Sequence, residues 1–294
     1  MERQQDNVIA PVVMQRVAAT LQTMMKNSNE EEQQEQQPQE QSKQPKKESE
    51  KEKYMKQVEF NNILMRIANK QQQERQVFED LTEEAIYTQH AQLTIHIANM
   101  LLAPQRKKFV VDEHNRQVMR FLLYYFNECP LCEEVFPQKH YKLHNHILLC
   151  GKAGTGKTLM MQIFAEYLRF TNNPHAFYNL SVTQMVNYYT LHNNLDRYTY
   201  NEEGSKGFNP QPVNICLNDI GVESKTYFGM DTKLLTNEFL HARNEIWTAY
   251  GKHGHVTTNL DVKMLKEEFK DGFGRLIDRF KTYNVITLGG ESRR

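Results

Sequence analysis

The sequence predicts an α/β fold with a mainly parallel sheet, preceded by a helical amino-terminal region and a solvated linker. Three observations predict it. Short apolar runs at 147–150, 176–180, 213–217, 255–260 and 283–288 read as strands, and the stretches between them carry apolar residues at helical spacing. Such alternation folds as successive strand–helix–strand units around a parallel sheet. The segment Gly151-Lys152-Ala153-Gly154-Thr155-Gly156-Lys157-Thr158 stands between the first strand and the first of these helices and fits G-x-x-x-x-G-K-[ST]. Upstream, residues 27–57 are rich in Glu, Gln, Lys, Ser and Pro and almost lack apolar side chains. That composition cannot bury enough surface to offset chain entropy, so a disordered linker is expected there.

Taken in order, residues 8–26 form an apolar stripe of Val8, Ile9, Val12, Val13, Val17, Leu21, Met24 and Met25, a short amphipathic helix. Held on a flexible tether, it suits docking on another protein, or it packs back on its own chain. Two further helices are expected at 58–81 and 83–102. The first presents Phe60, Ile63, Leu64, Ile67 and Phe78; the second presents Ile86, Leu93, Ile97, Met100 and Leu101. Thr82 is the expected cap between them and Pro104 the stop. These segments define a helical region over 58–103, and the catalytic domain is expected over 104–294. Asp112 caps a third helix carrying Val118, Phe121, Leu122, Tyr125 and Phe126. Later, Ser181 caps a helix with Val182, Met185 and Val186, and the polar residues 192–212 form a loop over the site or on its rim. A long helix follows with Leu234, Leu235, Phe239, Leu240, Ile246 and Trp247, then a helix at 263–270.

The glycine motif carries the chemistry. Glycines let the backbone wrap an anion with its N–H groups turned inward, and the loop opens a helix whose positive dipole end faces the same anion. Residues 151–158 with Leu159 form the expected phosphate cradle; Lys157 reaches the β- and γ-phosphates and the Thr158 hydroxyl ligates Mg²⁺. Asn218 and Asp219 end the strand after the next strand–helix unit, where an acid holds Mg²⁺ or polarises the attacking water. Arg275 and Arg279 lie one helical turn apart on one face, where pairing with Asp278 is the plain alternative to a functional role. Cys129, Cys132, His140 and His144 have the order of a zinc site, C-x₂-C…H-x₃-H, with a spacer shorter than in the usual finger. A helix-ending loop with unrelated histidines fits them as well.

Lys and Arg total 36 against 36 Asp and Glu in 294 residues, so bulk charge exerts no pull toward nucleic acid or membrane. No apolar run approaches the roughly 18 residues of a spanning helix. The polar start of the chain does not read as a signal peptide. Cys150 and Cys216 fall in expected core strands, which points to a reduced, cytoplasmic setting.

The later motifs resemble one family. Asn218-Asp219-Ile220-Gly221-Val222-Glu223 resembles the D-D-I-G-x-E Walker B of bacterial helicase loaders of the DnaC/DnaI type. Thr257-Thr258-Asn259-Leu260 resembles their sensor-1 segment, Gly274-Arg275-Leu276-Ile277-Asp278-Arg279 their arginine segment, and Gly290-Glu291-Ser292-Arg293-Arg294 their closing G-x-S-x-R. With the phosphate loop, these motifs span about 109–294. The resemblance implies a P-loop NTPase with an AAA+ core, binding ATP and Mg²⁺ and hydrolysing ATP. It also implies a homo-oligomer formed on ATP binding, with a replicative DNA helicase and single-stranded DNA as partners, in the cytoplasm of a bacterial or phage-infected cell. It places Asn259 as the γ-phosphate sensor and Arg275 or Arg279 as a finger inserted into a neighbour's site, where a guanidinium neutralises charge on the transferred phosphoryl. Two departures stand out. Asn218 replaces the first Walker B acid, so slow hydrolysis is expected unless Asp219 does both jobs. The chain given ends soon after the last strand, so neither a helical lid nor a sensor-2 arginine is expected. IstB-type transposition helpers share the latter feature and are the alternative; a nucleotide-gated binding protein with little turnover is another.

Overall fold

The computed structural model describes residues 78–203, 211–221, 226–227, 230–270 and 274–293, with isolated helical positions at 57, 60–62 and 65. The expected helix at 8–26, the linker but for Gln57, and most of the helix expected at 58–81 lie outside the described residues. Phe78 to Asp80 are bend and coil, not the end of a helix.

From Asp80 onward the chain forms one compact unit. It begins with α1 (Glu84–Leu102), a 3₁₀ turn through Pro104 (Ala103–Gln105), α2 (Arg116–Phe126) and the single turn α3 (Cys132–Val135). The sheet-forming part follows: β1 (His146–Cys150), α4 (Lys157–Phe170), β2 (Phe177–Ser181), α5 (Val182–His192) and β3 (Asn214–Ile220). A two-residue hairpin of β4 (Thr226–Tyr227) and β5 (Met230–Asp231) leads into α6 (Thr232–Tyr250). Then come β6 (Gly254–Thr258), α7 (Val262–Glu268), α8 (Arg275–Arg279) and β7 (Tyr283–Thr287).

Five strands pair in the order β2-β3-β6-β1-β7, all parallel. Both faces are covered, which is why β1 reads as an unbroken apolar run. Ile147 and Leu149 pack with Phe121, Phe126, Phe164 and Tyr167 of α2 and α4. Leu148 and Cys150 pack with Ile215, Leu217, Val256, Phe239 and Met185 on the other side. Ser181 caps α5 as expected, in a reciprocal capping box with Gln184, and Asp231 caps α6 through the N–H groups of Lys233 and Leu234.

Several expectations shift. Thr82 does not cap α1; its N–H and hydroxyl both bond Asp80 Oδ1, and Glu83 occupies the cap position without a side-chain bond. Of the face expected in α1, Ile97 is buried and Ile86, Leu93 and Leu101 pack against the core, while Met100 is exposed; Thr94, Ala98 and Leu102 are buried as well. This stripe joins the main core, and His90 of α1 bonds the Tyr167 hydroxyl of α4 at 2.5 Å. Residues 84–102 therefore belong with the sheet domain and not with a separate helical region ending at 103. Leu234 is exposed although Leu235, Phe239, Leu240 and Ile246 are buried. Asp112 works one turn before α2: its Oδ1 accepts from the N–H groups of His114 and Asn115, and the helix starts at Arg116. None of the described residues of the α5–β3 connection lines the cavity described below. No described helix is long and apolar enough to cross a membrane.

At the amino ends of β1 and β6 sits a buried histidine cluster. The Ile147 N–H donates to His255 Nδ1 at 3.1 Å and the Gly254 N–H to His146 Nδ1 at 3.2 Å, so these nitrogens must stay unprotonated. His253 stacks on His255 with centroids 5.4 Å apart. Burial foremost, then neighbouring rings and the Arg243 guanidinium, holds all three histidines well below their ordinary 6.5. The unfolded chain protonates them below that value and the folded chain does not. Stability is thus full above it and falls as the pH drops through it, with a slope approaching about 4 kcal/mol per pH unit for three such groups. Urea midpoints measured at about pH 7.5 and about pH 5.5 should show the loss, and His253→Asn should flatten it.

Candidate nucleotide site

The strand order explains the site. Because β6 lies between β1 and β3, the residues after all three strands meet at the carboxyl end of the sheet, where open parallel sheets bind ligands. The loop after β1 turns into α4 through Gly154 (φ 84°) and Gly156 (φ 97°), a left-handed region that side chains disfavour. Gly154 to Leu159 line a cavity of about 480 Å³ together with Asp219 and Asn259. Gly151, Lys152 and Ala153 form the back of the loop and do not line it. A Cβ on Gly151 would come within 2.2 Å of the Leu288 carbonyl oxygen, so the loop is pressed against the chain leaving β7.

Lys157 is the first residue of α4 and is buried. Its Nζ donates to the carbonyls of Gly151 (2.8 Å) and Lys152 (2.9 Å) and to Asn259 Oδ1 (2.6 Å). The ammonium is thereby fixed over the loop, beside the helix N-terminus. The Thr158 hydroxyl donates to Asp219 Oδ2 at 3.4 Å. A hydroxyl and a carboxylate held this close are hard oxygen donors of the kind that suit Mg²⁺.

Asn218 and Asp219 separate. The β3–β6 register slips between Leu217 and Ile220, a bulge with one extra residue on β3, and Asp219 sits in it at φ 62°. Aspartate tolerates that region better than most residues. The Asp219 N–H is held by Thr257 Oγ1 at 2.9 Å, and its carboxylate is turned to Thr158. Asn218 instead is buried in the sheet. Its Nδ2 donates to Asn179 Oδ1 (3.1 Å) and its Oδ1 accepts from the Thr257 hydroxyl (3.3 Å). The expected metal ligand is therefore a tie between β2, β3 and β6 and does not line the cavity. Asn218→Asp would set a carboxylate oxygen against the Asn179 carbonyl in a buried place. It should cost about 1–3 kcal/mol of stability and give no faster phosphate release. Thermal melts paired with a phosphate assay check this; faster release at unchanged stability would contradict it.

Arg275 and Arg279 do not line the cavity of their own chain. Arg275 is exposed at the start of α8; Arg279 is half-buried with its guanidinium on His241 of α6. Asp278 pairs with Lys281 at 2.5 Å, not with either arginine. The zinc arrangement does not form. Cys129 and Cys132 are buried while His140 and His144 are exposed, and no described group of three or more His, Cys, Asp or Glu could hold a metal. Burial above all pushes the Cys132 thiol up to about 12, opposite to the thiolate that zinc requires.

Sequence reasoning missed the facing wall. Leu102, Lys107, Lys108, Phe109, Val110 and Asp112 also line the cavity, and Arg293 joins them from the segment after β7. Arg293 Nη2 donates to both Asp112 oxygens, at 2.8 and 3.1 Å. The closing G-x-S-x-R pattern puts its arginine at position 294 and leaves Arg293 at a variable position, so the sequence held no direct signal for this pair.

Fold and loop together define a P-loop α/β protein with a candidate phosphate-binding loop at the carboxyl end of its sheet. No protein-family description matches the chain, and no curated relative matches it. Among solved structures its fold is similar to DnaI at 16% identity, covering 64% of this chain and 89% of that one, with a TM-score of 0.41. It is similar to the DnaC helicase loader at 14% identity, covering 61% and 93%, TM-score 0.41. It is also similar to domain III of the replication initiation protein DnaA from Thermotoga maritima at 19% identity, covering 61% and 64%, TM-score 0.42. At such identities a likeness concerns the fold, and the activity must be argued from the site.

Proposed function

We propose that the chain is an ATP- and Mg²⁺-dependent AAA+ protein of the helicase-loader kind, working as a homo-oligomer on single-stranded DNA with a replicative helicase as client, in the cytoplasm. The observation that carries the nucleotide part is the convergence of Lys157, Thr158, Asp219 and Asn259 from three adjacent strand ends. Lys157 and the loop N–H groups bind phosphate, Asn259 positions the lysine and the terminal phosphate, and Thr158 with Asp219 would hold Mg²⁺. The metal, when bound, neutralises charge between the phosphates. Asp219 is also the group placed to orient an attacking water. The client and the DNA rest on the sequence motifs.

With Asn218 in the place of the first acid and drawn into the sheet, Asp219 is the one acid where a pair is usual, which favours slow turnover and gives weight to a nucleotide-gated binder. The test is phosphate release by the full chain with ATP, with and without single-stranded DNA and a replicative helicase. Mg²⁺-dependent release that rises with DNA or helicase supports the loader reading. Tight ATP binding without release, under every condition, favours the gated binder; no nucleotide binding at all overturns both.

A further inference from the structure

We propose that Asp112 and Arg293 form a clamp that holds the cavity's far wall against the phosphate loop and so sets affinity for the nucleoside part of the ligand; this rests on the nucleotide reading above. The pair ties together three pieces distant in sequence. On one side, the Arg293 N–H donates to the Gly154 carbonyl of the loop at 3.0 Å. Ser292 lies so close that a Cβ on Gly154 would come within 2.2 Å of its Oγ. On the other side, the Asp112 carboxylate accepts from the N–H groups of His114 and Asn115 as well as from Arg293.

The wall itself is stiff. Asn115, fully buried, donates to the Val110 carbonyl at 2.8 Å and accepts from the Asp112 N–H at 2.9 Å. The Phe109 N–H donates to Asn99 Oδ1 of α1 at 2.8 Å. Phe109, Val110 and Leu102 thus present apolar surface to the cavity at a fixed place, next to Lys107 and Lys108. The Asp112–Arg293 ion pair, reinforced by Gly290 packing on the His114 ring, sets its distance from the loop. The phosphate end is bound by Lys157 and the loop, and the wall meets what lies beyond it. The clamp pair are positioning residues: they act through the wall.

The two obvious roles for Arg293 make opposite predictions. If Arg293 is itself a phosphate ligand, Asp112→Asn frees it and tightens triphosphate binding. If it is a clamp, Asp112→Asn weakens ATP binding, because the amide keeps the caps on His114 and Asn115 but turns its NH₂ against the guanidinium. Binding of a fluorescent ATP analogue to the full chain, and competition by ATP and by inorganic tripolyphosphate, separates them. The clamp predicts that Asp112→Asn and Arg293→Gln each weaken ATP by about 3- to 10-fold, with tripolyphosphate changed less than about twofold and Arg293→Lys partly restoring ATP affinity. Equal losses for ATP and tripolyphosphate in Arg293→Gln, or tighter ATP binding by Asp112→Asn, overturn it. So does wild-type affinity in both variants while Lys157→Ala loses binding. If the unaltered chain binds neither competitor, the nucleotide reading fails first and the clamp with it. Circular dichroism melts of each variant confirm that the compared proteins are folded.

Discussion

Lys157→Ala is expected to lower ATP affinity by about 30- to 1,000-fold, the loss of one charged, buried hydrogen-bonding partner of the phosphates. The structure adds a second consequence. Lys157 Nζ bonds two loop carbonyls and Asn259, so its removal also leaves these acceptors without their shared donor. The β1 loop and the end of β6 then lose their direct link, and a modest drop in melting temperature should accompany the lost affinity. Titration with a fluorescent ATP analogue and a thermal melt of the same sample measure both. Affinity equal to the unaltered chain would reject the loop as the phosphate site.

The arginines of α8 are expected to have a still larger effect, on rate and not on binding. Neither lines its own chain's cavity, so a loss of hydrolysis with binding intact would point to a role in a neighbouring subunit's site. Arg275, exposed at the helix start, is the more accessible of the two; Arg279 is half-buried. Arg275→Ala should leave ATP binding near normal and cut hydrolysis by about 10³–10⁵, the range measured for arginine fingers. Mixing Arg275→Ala with Lys157→Ala provides the decisive reading. Some junctions then pair an intact pocket with an intact arginine, and partial activity should return. If the two variants co-assemble and nothing returns, Arg275 does not act in trans.

Much of the site was legible in the sequence for a local reason. A phosphate loop needs its glycines, lysine and threonine within eight residues, and its flanking strand and helix announce themselves by apolar spacing. Ser181 was readable as a cap because its partner is three residues away. By contrast, Asn218 and Asp219 look interchangeable in sequence. Their roles were divided by a single bulge against β6 that turns Asp219 to Thr158 and leaves Asn218 to Asn179 and Thr257. The zinc reading failed similarly: the cysteines and histidines lie in one short stretch, but the cysteines are buried and the histidines exposed. The apolar stripe of α1 was legible but for one residue: Ile97 is buried and Ile86, Leu93 and Leu101 pack on the same core, while Met100 is exposed.

The sequence by itself determined the elements, the phosphate loop and the identity of its lysine, since these depend on backbone conformation and side-chain type over a few neighbouring residues. The tertiary structure alone decided which distant groups share the cavity. Placing β6 between β1 and β3 brings Asn259 to Lys157 across 102 residues, and folding the segment after β7 over the loop brings Arg293 to Asp112 across 181. Strand order is settled by how the apolar faces of all the elements bury together, a property of the whole chain that no window of sequence contains.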